Sequence, residues 1–214
     1  MADSRVPRSS QSGLHRRLDE VVLRHLSSGW RQPVRGFSHA AFSGLERLAG
    51  ADLIVDAGCG TAHSAVVLAH RFPNHTIIGV DRSAARLARS PALPANVVLV
   101  RAELADFWRL ARTNGLNLQC HFLLYPNPWP KPGHLKRRWH AHPVWPDLLA
   151  LGGALEMRTN FEVYAEEFAR ALELAGHSSD LQVLSLMPEA AISPFETKYA
   201  RSGHRLFRVT ANLG

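Results

Sequence analysis

The chain has 214 residues, 46% of them hydrophobic, and a formal net charge of +7. That length suits one α/β domain with a sizeable core; no apolar run reaches the ~18 residues of a membrane-crossing helix, and the Ser- and Arg-rich start, Met1–Gly13, lacks the apolar stretch of a secretory signal and reads as a disordered tail. The two cysteines, Cys59 and Cys120, are too few and too far apart in sequence for a disulfide framework or a structural zinc site, and fit a reducing cytoplasm.

From the N-terminus, Leu14–Ser28 and Phe37–Leu48 read as helices, and strands and helices then alternate. The strand expectations are Leu53–Asp56, Thr76–Val80, Val97–Val100, Cys120–Leu124, Ala154–Arg158, Leu181–Leu186 and Leu206–Val209. Between them lie helices over Ser64–Phe72, Ala84–Ser90, Leu104–Thr113 and a last one marked by Phe161, Ala165, Phe168, Ala169 and Leu172 on one face. The alternation predicts an α/β fold, a mostly parallel seven-stranded sheet flanked by helices, preceded by a basic tail and helix over residues 1–35. In such sheets ligands bind at the carboxyl ends of the strands.

The first strand runs into Asp56-Ala57-Gly58-Cys59-Gly60-Thr61. Two glycines after a strand let the backbone turn sharply beside a ligand. The third glycine of the dinucleotide fingerprint is missing, since His63 takes its place, while acids stand at Asp56 before the turn and at Asp81 ending the second strand. A carboxylate at Asp81 suits a ribose diol. Glu103 follows the third strand, where it suits either ligand contact or the N-cap of the next helix.

The fourth strand ends in Tyr125-Pro126-Asn127-Pro128-Trp129-Pro130-Lys131, in which three prolines stiffen the backbone. An indole at Trp129 suits stacking on a base or packing under the loop, an amide at Asn127 suits a base edge, and Lys131 suits a phosphate. A basic run follows, Gly133-His134-Leu135-Lys136-Arg137-Arg138-Trp139. Residues 1–35, 131–142 and 198–208 each carry a net +4, which against a total of +7 leaves the remainder at −5 and points to a polyanionic partner. His134, His140 and His142 lie close in sequence but outside any His-Glu-x-x-His frame, so they belong with this basic surface and no metal is expected.

The Asp-x-Gly-Cys-Gly-Thr turn resembles motif I of the class I S-adenosylmethionine methyltransferases. Pro126-Asn127-Pro128-Trp129-Pro130-Lys131, followed by His134 and Lys136-Arg137-Arg138, is similar to the Pro-Asp-Pro-Trp-x-Lys…His-x-Lys-Arg-Arg block of bacterial tRNA (guanine-N7)-methyltransferases of the TrmB type. Thr159-Asn160…Tyr164 and Ser193-Pro194-Phe195-Glu196-Thr197-Lys198…Gly203 resemble that family's later blocks, so the likeness spans about residues 36–210. It implies a Rossmann-like methyltransferase fold with S-adenosyl-L-methionine as cofactor and tRNA as partner, acting in the cytoplasm as a monomer or homodimer. It places Asp56, Gly58, Gly60, Asp81 and Glu103 at the cofactor and Asn127 at both cofactor and catalysis. It places Lys131, Asn160, Ser193 and Glu196 at the substrate, to which the residue chemistry adds Trp129, Lys136, Arg137 and Arg138.

Asn127 and Asn160 stand where the family has aspartates, and Ser193 where it has threonine. Guanine N7 has a lone pair and no proton, so its methylation needs alignment rather than a base, and the implied reaction is transfer to a guanine N7 of the tRNA variable loop. Two other readings stand beside it. Asn127-Pro128-Trp129 also resembles the Asn-Pro-Pro-aromatic loop of amino-methylating enzymes, which gives a paralogue acting on another RNA base or an amino group. Loss of both aspartates gives a tRNA-binding protein without catalysis.

Overall fold

A seven-stranded sheet organises the computed structural model, which describes residues 4–45, 48 and 50–214. Its strands are β1 (Leu53–Ala57), β2 (Thr76–Asp81), β3 (Val97–Arg101), β4 (Leu118–Leu124), β5 (Ala154–Thr159), β6 (Ser179–Leu184) and β7 (Leu206–Asn212). They lie in the order β3-β2-β1-β4-β5-β7-β6. The first five run parallel, and β7 inserts antiparallel between β5 and β6. The order reverses between β1 and β4, and at such a switch point the connecting loops diverge and leave a crevice at the carboxyl ends of the strands.

The helices are α1 (Leu18–Leu26), α2 (Gly36–Ser43), α3 (His63–Arg71), α4 (Ala84–Leu87), α5 (Leu104–Thr113), α6 (Trp145–Leu149), α7 (Glu162–Leu174) and α8 (Pro194–Arg201). All five residues of β1 are buried, as a strand covered on both faces must be. Its side chains alternate between two cores. Leu53, Val55 and Ala57 join Phe107, Trp108, Trp145, Tyr164 and Phe168 from α5, α6 and α7. Ile54 joins Ala65 and Leu68 of α3 and Phe122 of β4. α1 buries Leu18, Val21, Val22 and His25, a stripe of helical period, and the first three belong to the larger core.

Several elements differ from expectation. α1 is shorter at both ends than Leu14–Ser28, and α2 begins one residue earlier than predicted and ends at Ser43; residues 46, 47 and 49, within or beside that prediction, lie outside the described residues. β6 begins at Ser179 and ends at Leu184, while β7 extends to Asn212. α6 and α8 were not expected. Residues 4–13, read from composition as a disordered tail, run with Leu14 and His15, expected to begin a helix, as a strap over the domain. The Ser4 amide donates to Ser202 Oγ at 3.2 Å, Ser9 Oγ to the Pro130 carbonyl at 2.5 Å, and Gln11 Nε2 to Glu167 Oε1 at 2.5 Å. Composition reports too few apolar residues for a core, but this segment is held by polar contacts to a core that others build.

Candidate active site at the switch point

The turn after β1 has Gly58 at φ +81° and Gly60 at φ +60°, left-handed values that glycine adopts at little cost. The Gly58 and Cys59 amides donate to the Val80 carbonyl at 2.8 and 3.0 Å, tying the turn to the end of β2. A Cβ placed on Gly60 would meet nothing within 4 Å, so the turn faces open space. Below it, Gly79 lets the strand pass under the turn, since a Cβ there would lie 2.8 Å from Leu99 and 3.2 Å from Cys59 Sγ. Cys59 and Cys120 are free thiols, both pushed up chiefly by burial, Cys120 to about 11.

Of the three acids expected at the cofactor, Asp56 faces inward, and Asp81 and Glu103 stand beside the turn. Asp56 is buried and accepts from Ser64 Oγ at 2.6 Å. Burial raises its carboxyl to about 7, with the Ser64 bond working downward and the Asp81 charge upward. Asp81 accepts the Ser83 amide at 2.8 Å on one oxygen and the Gly60 amide at 3.1 Å on the other, with Arg86 at 3.4 Å. Glu103 holds the N-cap position of α5 but makes no capping bond; its carboxylate meets Arg82 at 3.5 Å. Asp81 and Glu103 thus lie at the ends of adjacent strands, beside the glycine turn. Backbone freedom, open space and carboxylates at this edge fit the glycosidic and ribose parts of an adenosine-bearing cofactor.

Across the crevice, the loop after β4 carries exposed Asn127 between two non-glycine residues in the left-handed region, Tyr125 at φ +51° and Trp129 at φ +44°. Each such residue costs about 1–3 kcal/mol unless its surroundings impose it. Each is held by its own buried arginine–glutamate pair. At one end the Tyr125 amide donates to the Arg158 carbonyl at 2.8 Å and its hydroxyl to Glu196 Oε1 at 2.8 Å. Glu196, fully buried, is paired with Arg158 at 3.0 Å and accepts the Ile192 amide at 2.8 Å. Burial, then the Glu196 charge, push the Tyr125 hydroxyl well up, so it stays a donor. At the other end Arg138 donates from Nε and Nη2 to the Trp129 carbonyl at 3.2 and 3.1 Å, and its Nη1 donates to Glu167 of α7.

The residues expected at the substrate therefore divide. Asn127, Lys131, Lys136 and Arg137 are exposed and Trp129 is half-buried, with the Arg137 guanidinium 4.8 Å from its ring centroid and His134 edge-on at 5.5 Å. Arg138, expected on the same basic surface, is 0% exposed, and its donors are committed inside the protein. Ser193 caps α8 by accepting the Glu196 amide at 3.1 Å, so Ser193 and Glu196 face inward. Asn160 does not cap α7; its Nδ2 donates to His204 Nδ1 at 3.0 Å, and His204 Nε2 donates to the Ser4 carbonyl at 2.8 Å. Of the other basic stretches, Arg17 is paired with Glu20, Arg35 with Asp106 and Arg205 with Glu162, which tempers their free charge. Tyr125, Arg158, Glu167 and Gln11 were not singled out from sequence. Glu167 had a signal: it interrupts the buried stripe Tyr164, Ala165, Phe168, Ala171, Leu172.

Comparison with known proteins agrees with this geometry. A tRNA (guanine-N(7)-)-methyltransferase of Stutzerimonas stutzeri is 29% identical over 202 residues, 89% of this chain and 83% of the relative. One from Halorhodospira halophila is 28% identical over 220 residues, 94% of this chain and 93% of the relative. One from Aeromonas hydrophila is 29% identical over 165 residues, 73% of this chain and 69% of the relative. Among solved structures, an antibiotic-related methyltransferase superposes with a TM-score of 0.60 at 17% identity, covering 85% of this chain and 96% of that one. The 16S rRNA methyltransferase KamB superposes at 0.57 and 20% identity, again covering 85% and 96%. At those identities the likeness establishes the shared fold, that of the Rossmann-like methyltransferases. Residues 51–209, which hold the sheet up to the middle of β7, match the family described as “Putative methyltransferase”, and the chain is a member of that methyltransferase family.

Proposed function

We propose that the protein transfers a methyl group from S-adenosyl-L-methionine to N7 of a guanine in tRNA, within the variable loop. One juxtaposition carries this reading: at the carboxyl ends of the strands around the switch point stand the glycine turn with Asp81 and Glu103, and the loop after β4 with exposed Asn127 and half-buried Trp129. The relatives' names support the choice of base.

The cofactor supplies an electrophilic methyl on a sulfonium. Asp81 holds the ribose hydroxyls, Glu103 lies toward the adenine, and Gly58 and Gly60 allow the backbone's close approach. The carboxylates of Asp81 and Glu103 at one edge favour a cationic ligand. On the target side, Trp129 offers a flat surface to a base, Asn127 an amide to its edge, and Lys131, Lys136 and Arg137 charge to phosphates. No proton leaves N7, so the protein's task is orientation, and a loop stiffened by three prolines and two buried pairs is suited to it. Arg138, Ser193 and Glu196 serve the substrate through that loop. A tRNA substrate places the work in the cytoplasm, by a monomer or a homodimer. Among the described residues no helix is long and apolar enough to cross a membrane, and no group of three or more His, Cys, Asp or Glu is placed to hold a metal ion.

The test is transfer of a radiolabelled methyl to unmodified tRNA, followed by nucleoside analysis. 7-Methylguanosine in the variable loop supports the reading. A methylated exocyclic amine, or no transfer by a protein that binds both tRNA and cofactor, rejects it.

A further inference from the structure

The one carboxylate on the buried stripe of α7 gathers three separate parts of the chain. Glu167 is 0% exposed. Its Oε2 accepts from Arg138 and from His140 Nε2 at 3.0 Å. Its Oε1 accepts from Gln11 Nε2 at 2.5 Å and from the His15 amide at 3.0 Å. Four donors fill the acceptor sites of one carboxylate. Burial works to protonate it, but the His140 and Arg138 bonds outweigh burial and hold it down to about 2. A buried ion pair is often no more stabilising than apolar side chains of the same volume, so stability alone does not account for a charge here.

What the charge does is aim Arg138. With Nη1 fixed on Glu167, the Nε and Nη2 of Arg138 point at the Trp129 carbonyl, two residues beyond Asn127. The strap reaches the same place by two routes, through Gln11, whose Oε1 accepts from Arg138 at 3.3 Å, and directly through Ser9 to the Pro130 carbonyl. We propose that Glu167 is a positioning residue for methyl transfer, and that Gln11 and His15 of the strap complete it, together fixing the Asn127–Trp129 loop in its left-handed turn. The inference rests on this loop being the target side of the site, as argued above.

Hydrogen exchange and kinetics on the full-length protein test it together. Glu167→Gln keeps the shape and removes the charge; Gln11→Ala, on the strap, leaves the core untouched; Glu173→Gln, exposed on the same helix, is the control. In the first two variants the hydrogen-bonded amides that bracket the loop, those of Tyr125 and His134, should exchange at least about tenfold faster, with those of Gly58–Gly60 unchanged. Single-turnover rates on unmodified tRNA should fall about tenfold or more for Glu167→Gln and severalfold for Gln11→Ala, while cofactor Kd stays within about twofold. Unchanged loop exchange in Gln11→Ala overturns the proposal. So does a Glu167→Gln variant whose rate, cofactor affinity and exchange across the whole sheet all fail together. A wild type that methylates no tRNA, yet whose loop exchange responds as stated, would reject the guanine reading and keep the clamp.

Discussion

Arg138 donates twice to the carbonyl oxygen of Trp129, nine residues earlier in the chain, while its neighbours Lys136 and Arg137 stand in solvent. Three consecutive basic residues thus hold two different jobs. Lys136→Ala and Arg137→Ala should each weaken tRNA binding and flatten the dependence of log affinity on log salt by roughly 0.7–0.9. Arg138→Ala should leave that slope alone and destabilise the fold by about 3–5 kcal/mol, because Glu167 would be left buried without its cation. Binding titrations across a salt series, with melting curves beside them, separate the two behaviours; flattening by Arg138→Ala would place it at a phosphate after all.

In the proposed function the Asp81 carboxylate holds both ribose hydroxyls. Asp81→Ala should cost about 1.5–3 kcal/mol of S-adenosylmethionine affinity, roughly ten- to 150-fold in Kd. Some of the loss arises through the turn, since Asp81 also accepts the Gly60 amide. Calorimetry on the two proteins measures it, and an unchanged Kd would remove Asp81 from the site.

Asp56 makes stability depend on pH. Burial lifts its carboxyl in the folded protein to about 7, from the ordinary 3.8. Between those values the folded state binds the extra proton, so stability is fully present below about pH 4 and falls as pH rises through about 7. Asp56→Asn, which keeps an acceptor for Ser64, should abolish that fall and be the more stable protein at pH 8 by an amount on the order of a few kcal/mol. Chemical denaturation from pH 5 to pH 8 gives the comparison; parallel profiles would show that Asp56 is ionised in the native protein throughout.

Asn127 decides between the readings of the reaction. An amide does not titrate in the working range, so transfer to N7 should show no ionisation from this position. Asn127→Ala should lower turnover more than cofactor affinity, by removing an aligning contact. Asn127→Asp should preserve or raise activity on guanine N7, since it adds negative charge beside a cationic sulfonium. Methylation of an exocyclic amine would show the opposite response to the aspartate. Single-turnover rates for the three proteins, with the product nucleoside identified, tell these apart.

The sheet and the glycine turn were legible because buried parallel strands read as apolar runs, and an acid interrupts each run, Asp56 next to the end of β1 and Asp81 at the end of β2. α8 was not, although Ser193-x-x-Glu196 has the spacing of a capping box. That helix is polar on average and buries only Glu196, with Phe195 54% exposed, so the cap is its clearest signal. The strap left no pattern at all, since its contacts are single hydrogen bonds to distant residues. The same holds for the two loop clamps: Arg138 looks like any surface arginine until its partner on α7, 29 residues away, is known.

The place of β7 between β5 and β6 has a consequence for how the chain is made. β6 leaves the ribosome before β7, yet among the described residues its only strand neighbour in the finished sheet is β7. Until residues 206–212 emerge, at ~5–20 residues per second, β6 waits on the order of seconds with no ladder to join. Its outward residues Leu181 and Val183 are 38% and 57% exposed even when folded, so the nascent strand is an open template for another chain. The nucleotide crevice can be assembled from β1 to β5 in that interval, whereas the far edge of the sheet depends on the final strand. Substitutions that slow β7, such as a proline at Val209 opposite Leu181, should therefore lower soluble yield before they alter cofactor binding.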